Sequence, residues 1–171
     1  MLLRFDRALL NANRWSVIAI LAAMATMVFV NVALRFTTDR SLLWVEEASR
    51  YLMIWLTFLG SGLVLRYGGH VGIDTLQEAL PRHAGAIRAV IFVILLAFFT
   101  LMVWLGLRYA AFAWNQTTPV LQIPIGAVYL AMPVGFALMI AHLLLMAGPY
   151  LRRRAFLADG EFGVQSMASE S

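Results

Sequence analysis

Four long apolar runs divide the chain, at 15–34, 44–65, 86–107 and 125–147, and charged or polar residues collect at their ends. Each run has about the 20 residues that a helix needs to cross the ~30 Å hydrocarbon core of a bilayer. The pattern predicts an all-α integral membrane protein of four transmembrane helices. A short lead-in occupies 1–14 and a basic stop with a polar tail occupies 148–171.

The lead-in sets Arg4, Arg7 and Arg14 among Leu2, Leu3, Phe5, Leu9 and Leu10, a short amphipathic pattern. The run behind it lacks the small-residue exit of a cleaved signal, so it reads as a spanning helix. Ala19, Ala22, Ala23, Ala25 and Thr26 give that helix small faces suited to close helix packing. Asn31 and Arg35 close it, and a link at 36–43 is short enough to return the second helix antiparallel beside the first.

The second run opens on Glu46, Glu47 and Arg50. Arg50 stands at i+4 from one acid and i+3 from the other, so it can pair with either. Adjacent helical positions point about 100° apart, which prevents the two carboxylates from sharing one site. Further along, Thr57, Gly60, Ser61 and Gly62 narrow the helix, and a second backbone could approach there.

A connector at 66–82 carries Arg66, the Gly68-Gly69 break and His70, then a loose capping box from Asp74 to Gln77. With Val71, Ile73, Leu76 and Leu80 on one side, it predicts a short interfacial amphipathic segment between helices 2 and 3. Arg88, near the start of the third run, can snorkel to the interface. The loop at 110–124 ends in PVLQIP, with Gln122 and Pro124 and two prolines that favour an ordered, extended path. In the fourth run Pro133 removes a backbone donor and predicts a kink near Tyr129, while Ala127, Ala131 and Gly135 form a small-residue seam. Beyond it stand Arg152, Arg153 and Arg154 and a tail that reads as disordered.

Composition narrows the chemistry. The chain is 62% hydrophobic, with a mean hydropathy of +0.81, well above an ordinary soluble domain. It has no Cys, which excludes thiolate nucleophiles and disulfides, and its 13 basic residues are all Arg, which excludes lysine chemistry. His70, His83 and His142 lack ligand spacing, so neither a metal nor a cofactor is expected. The net charge of +4 is spread over the ends of the apolar runs, a membrane-surface pattern rather than a nucleic-acid footprint. Arg4, Arg7, Arg14, Arg66, Arg82, Arg88 and Arg152 to Arg154 fall on the terminal side; Arg35, Arg40, Arg50 and Arg108 fall on the other. The positive-inside rule then predicts both termini in the cytoplasm, N-in and C-in.

The polar cluster of Asn31, Arg35, Glu46, Glu47 and Arg50 has three readings: an interfacial ion-pair group, a contact with a partner, or a proton-carrying site. The first is the expected one. His142 either hydrogen-bonds across helices or reaches the interface, and the interface is expected. Trp15, Trp44, Trp104 and Trp114 sit near run ends as an aromatic belt would, and Trp55 is expected to pack on a helix or on lipid. No nucleophile with its base and no phosphate loop is present, so the chain is not read as an enzyme.

Four segments then carry a resemblance: NVALRF at 31–36, WVEEASRYLMIWLTFLG at 44–60, RYGGHVGIDTL at 66–76 and PVLQIPIGAVYLAMPVGFAL at 119–138. In order and together they resemble the small membrane subunit, DctQ type, of the tripartite ATP-independent periplasmic (TRAP) transporters. The resemblance implies a bacterial or archaeal inner-membrane scaffold subunit that works with a large membrane subunit and a periplasmic substrate-binding protein. It places the sodium coupling and the substrate site in the large subunit. The substrates it implies are organic acids of the C4-dicarboxylate, keto acid or sialic acid type. An autonomous oligomeric channel or proton-coupled carrier, and the small subunit of a tripartite tricarboxylate transporter, are the alternatives.

Overall fold

A computed structural model describes residues 2–66 and 84–153. The interfacial segment expected between helices 2 and 3, with His70 and Asp74, lies outside them, as does the tail from 154. The described chain is helical: α1 Leu2–Thr38, α2 Leu43–Arg66, α3 Ala84–Phe112, a short α4 Ile125–Tyr129 and α5 Ala131–Arg153. Four helical stretches are long and apolar enough to cross a membrane, Asp6–Thr38, Leu43–Leu65, Gly85–Phe112 and Ile125–Ala147.

The amphipathic lead-in and the first span form one unbroken helix. At 1.5 Å per residue α1 measures about 55 Å, so its ends extend beyond the hydrocarbon core. Asp39 stops it in the left-handed region at φ 53°, which Asp tolerates because its short side chain can bond locally. The fourth span breaks where proline predicts. Without an N–H, Pro133 cannot donate to the carbonyl of Tyr129, and the helix divides at Leu130 into α4 and α5. The backbone still bonds through the joint, from Leu130 N–H to Gly126 O at 3.0 Å and from Val134 N–H to Leu130 O at 3.1 Å.

The spans form an open row, α1–α2–α5–α3, rather than a closed four-cornered bundle. α2 packs on α1 and on α5, and α5 packs on α2 and α3. The two middle helices are accordingly the most buried and α1 the least. Phe136 of α5 holds the row together. Its ring centroid lies 5.9 Å from Phe58 of α2 and 5.7 Å and 6.0 Å from Phe99 and Phe98 of α3, tilted or edge-on as aromatic quadrupoles prefer. Close approach of α2 and α5 depends on Gly135, where a Cβ would come within 2.7 Å of Phe58 Cβ and 2.8 Å of Phe58 O.

The small-residue seam on the fourth span is therefore an internal one: Ala131 is fully buried and Gly135 receives α2. The patch on α2 divides. Gly62 is buried, whereas Thr57 is exposed and a Cβ at Gly60 would meet nothing within 4 Å. Ser61 turns back on its own helix, donating to Phe58 O at 2.7 Å.

Candidate functional site

The buried polar side chains among the described residues are Asn13, Glu47, Thr118 and His142, in a chain otherwise packed with apolar groups. Two of them meet where α2 begins. Glu47 and Glu46 point apart as adjacent helical residues must, and the structure buries the first while leaving the second exposed. Glu47 Oε2 accepts the N–H groups of Val120 at 2.9 Å and Leu121 at 2.8 Å, and Oε1 accepts the Tyr51 hydroxyl at 2.8 Å. Bonds to an ionised carboxylate are about twice as strong as neutral ones, and low local polarity strengthens them further.

The loop that Glu47 grips is a compact hairpin. An antiparallel bridge joins Thr117 to Pro124, Thr118 N–H donates to Ile123 O at 2.9 Å, and Ile125 N–H donates to Gln116 O at 2.8 Å. The fully buried Thr118 hydroxyl accepts Ile123 N–H at 3.3 Å. Gln122 turns the chain in the left-handed region at φ 54°, and its side-chain amide donates to Pro119 O at 2.9 Å. Two consecutive N–H groups at the tip of this turn face the carboxylate. Pro119 has no N–H of its own to offer, so the pair begins at Val120. The PVLQIP segment is ordered as its prolines imply, yet it folds into a turn instead of running extended. Pro124 ends the hairpin and precedes the first residue of α4 at φ −58°, a backbone ready for a helix start.

The rest of the polar cluster is dispersed. Asn31 bonds to the link and not to the acids: its Oδ1 accepts Leu42 N–H at 2.7 Å, just ahead of α2. Glu46 and Arg50 approach to 4.0 Å with side chains 76% and 70% exposed, a pair worth about 0–1 kcal/mol at most. Arg35 is exposed and makes no ion pair among the described residues. Arg66 closes α2.

Below the clasp lies an apolar cleft of about 320 Å³, open on one side, between Met27 of α1, Tyr51 and Trp55 of α2, and Leu121 and Ala127. Trp55, out of place for an interfacial belt, lines this cleft. His142 also departs from expectation: it is fully buried, not interfacial, because α5 turns it toward α2 and α1. The sequence reading gave Asn13 no role, though it is 4% exposed. One polar residue in a lead-in rich in Arg carries little signal, but its place on the same heptad seam as Val17, Ile20, Met24, Met27 and Asn31 could have marked it.

With three donors on its two oxygens Glu47 is a structural acceptor, and no reacting group stands beside it. The arrangement can hold a rigid hairpin at one membrane surface. Comparison with known proteins fits that character. The family described as tripartite ATP-independent periplasmic transporters, DctQ component, matches residues 24–152. The chain is similar to a putative TRAP transporter small permease protein of Haemophilus influenzae, 35% identical over 136 residues, covering 74% of this chain and 80% of that one. It is also similar to the ectoine TRAP transporter small permease protein TeaB of Halomonas elongata, 35% identical over 66% of this chain and 60% of the relative. A third relative, the isethionate TRAP transporter permease protein DctMQ of Oleidesulfovibrio alaskensis, is 27% identical over 82% of this chain but only 22% of its own length. With its four spans, its seams of small residues and a clasped hairpin in place of any reacting group, the chain belongs to the DctQ family of TRAP transporter small permease subunits, which are transporter components and not enzymes.

Proposed function

We propose that this chain is the scaffold of a TRAP uptake system, widening the fixed wall against which a large membrane subunit moves its substrate. The observation that carries this is the state of α1. That helix is long enough to cross the membrane, yet beyond Arg14 it is half-buried only along the seam of Val17, Ile20, Met24, Met27, Asn31 and Leu34 that faces α2. The neighbouring stripe, Ser16, Ala19, Ala23, Thr26, Val30 and Ala33, is exposed and, Val30 apart, small. Its hydroxyls are satisfied within the helix, Ser16 by Ala12 O at 2.9 Å and Thr26 by Ala22 O at 2.8 Å. Such a stripe suits close packing against another membrane helix, whereas α3 shows lipid a bulky face of Val93, Phe98, Leu101 and Trp104. The occupant proposed is the large subunit. A relative in which a DctQ-like segment fills about a fifth of a longer permease supports that pairing.

The excess of Arg on the terminal side supports a cytoplasmic location for both ends. The Glu47 hairpin is then periplasmic, and its exposed Pro119, Val120 and Ile123 offer a rigid landing for a substrate-binding protein. Sodium coupling is assigned to the large subunit. Relatives named for ectoine and isethionate widen the substrate from the organic acids implied by the sequence to small organic solutes bearing an acid group.

The test is to tag the chain, extract it in mild detergent together with its large subunit, and introduce Cys at Ala19, Ala23 or Ala33. The reading expects co-purification and cross-links from these positions, with few from Val93 or Leu101 of α3. Co-purification with cross-links confined to α3 would overturn the docking face, and loss of co-purification would overturn the scaffold.

A further inference from the structure

At the end of the row opposite the Glu47 hairpin, two helices bring polar side chains to one buried point against a glycine of a third. Asn13 of α1 is 4% exposed and His142 of α5 is 0% exposed. Between them stands Gly62 of α2. A Cβ on that glycine would sit 3.4 Å from Asn13 Nδ2, 3.4 Å from His142 Cδ2 and 3.9 Å from His142 Nε2. Among the described residues neither Nδ2 nor Oδ1 of Asn13 has a hydrogen-bond partner, although both are shielded from solvent.

A buried primary amide without a partner is costly, and more so in a protein whose surroundings are hydrocarbon. Facing it across the bare backbone of Gly62 is the His142 imidazole. Any residue larger than glycine at 62 would stand in the gap.

We propose that Asn13 and His142 hydrogen-bond to one another across Gly62, as a clasp that pins α1 to α5. The polar atoms nearest the Cβ position at 62 are Asn13 Nδ2 and His142 Nε2, so in this pairing the amide donates and an unprotonated Nε2 accepts, with the imidazole neutral. The consequence is positional. α1 packs on α2 through a seam that is apolar from Val17 to Met27 and resists sliding poorly there, and one polar pair beside such a stretch fixes rotation and register. With Glu47 binding α2 to the hairpin at the other end, the clasp makes the row rigid at both membrane surfaces. It would hold the small stripe of α1 at a set angle toward whatever packs there.

The experiment uses the full chain, labelled with ¹⁵N-histidine and embedded in lipid nanodiscs, with His142→Gln assigning the His142 resonances. In the unaltered chain His142 gives one neutral tautomer with its Nε2 resonance displaced by hydrogen bonding. Asn13→Leu is expected to move that resonance to the position of an unbonded nitrogen. Gly62→Ala keeps both polar residues, places a methyl group in the space across which they meet, and is expected to move it the same way, so the test stands even where Asn13→Leu folds poorly. An Nε2 resonance unchanged in Gly62→Ala, or a loss of thermal stability in Asn13→Leu without any change in that resonance, overturns the clasp and leaves only packing.

Discussion

Glu47, just past the first turn of α2, accepts the backbone N–H of Leu121 at 2.8 Å across a separation of 74 residues. The same oxygen accepts Val120 N–H at 2.9 Å, so a single carboxylate ties the second span to the hairpin ahead of the fourth.

Replacing Glu47 by Ala removes the acceptor of two N–H groups and one hydroxyl while the cavity still shields them. An unsatisfied buried donor costs about 1–3 kcal/mol, so the variant is expected to lose thermal stability clearly in detergent. Glu47→Gln, which keeps one carbonyl acceptor, is expected to lose less. Amide hydrogen exchange should rise at Val120 and Leu121 in both. Glu46→Gln is the control, since its pair with Arg50 is exposed; it is expected to change stability by no more than about 1 kcal/mol.

The four spans, the break ahead of Pro133 and the antiparallel first pair were legible in the sequence because hydropathy, proline chemistry and link length act locally. The Glu47 grip on the hairpin was not. Residues 47 and 121 are far apart in the chain, and no periodicity connects a carboxylate to two backbone N–H groups. What the sequence did contain was the adjacency of Glu46 and Glu47, which sets them on different sides of the helix, and a proline-started turn with N–H groups to satisfy. Arg35, expected beside the acids, is exposed and stands apart from them, and Asn31, one turn earlier, bonds to Leu42 instead. His142 read as interfacial from its nearness to the end of its run; the glycine opposite it, which makes room for its burial, lies on another helix.

The two glycines of the small-residue seams should respond in opposite ways. Gly135→Ala puts a methyl group 2.7 Å from Phe58 Cβ and 2.8 Å from Phe58 O, so α2 and α5 must part; overpacking of this kind costs about 1–3 kcal/mol. Gly60→Ala meets nothing within 4 Å and adds helix propensity of about 1 kcal/mol. Thermal unfolding of the two variants is expected to shift down and up, respectively. A lowered midpoint for Gly60→Ala would place another element of the chain against that face.

Asn31 holds the link between the first two spans by a single bond to Leu42 N–H. Asn31→Ala is expected to cost about 1 kcal/mol and to raise exchange at the Leu42 amide, with the Glu47 hairpin unaffected because it shares no partner with Asn31. Exchange rising at Val120 as well would show that the two surface ties are coupled.

Phe136→Ala tests the row itself. Its ring is the shared neighbour of Phe58, Phe98 and Phe99, so its loss opens a cavity between α2, α3 and α5. Aromatic truncations in a packed core cost about 3–5 kcal/mol, and this one is expected to be the most destabilising of the variants named here. A midpoint close to that of the unaltered chain would mean that the row is held elsewhere.

The central claim is that this subunit supports transport without performing it. It is tested most directly by measuring solute uptake in vesicles that contain the purified chain alone, the large subunit alone, or both, with the binding protein and a sodium gradient present. The account predicts uptake only when both subunits are present. Gradient-driven uptake by vesicles containing this chain alone would contradict it.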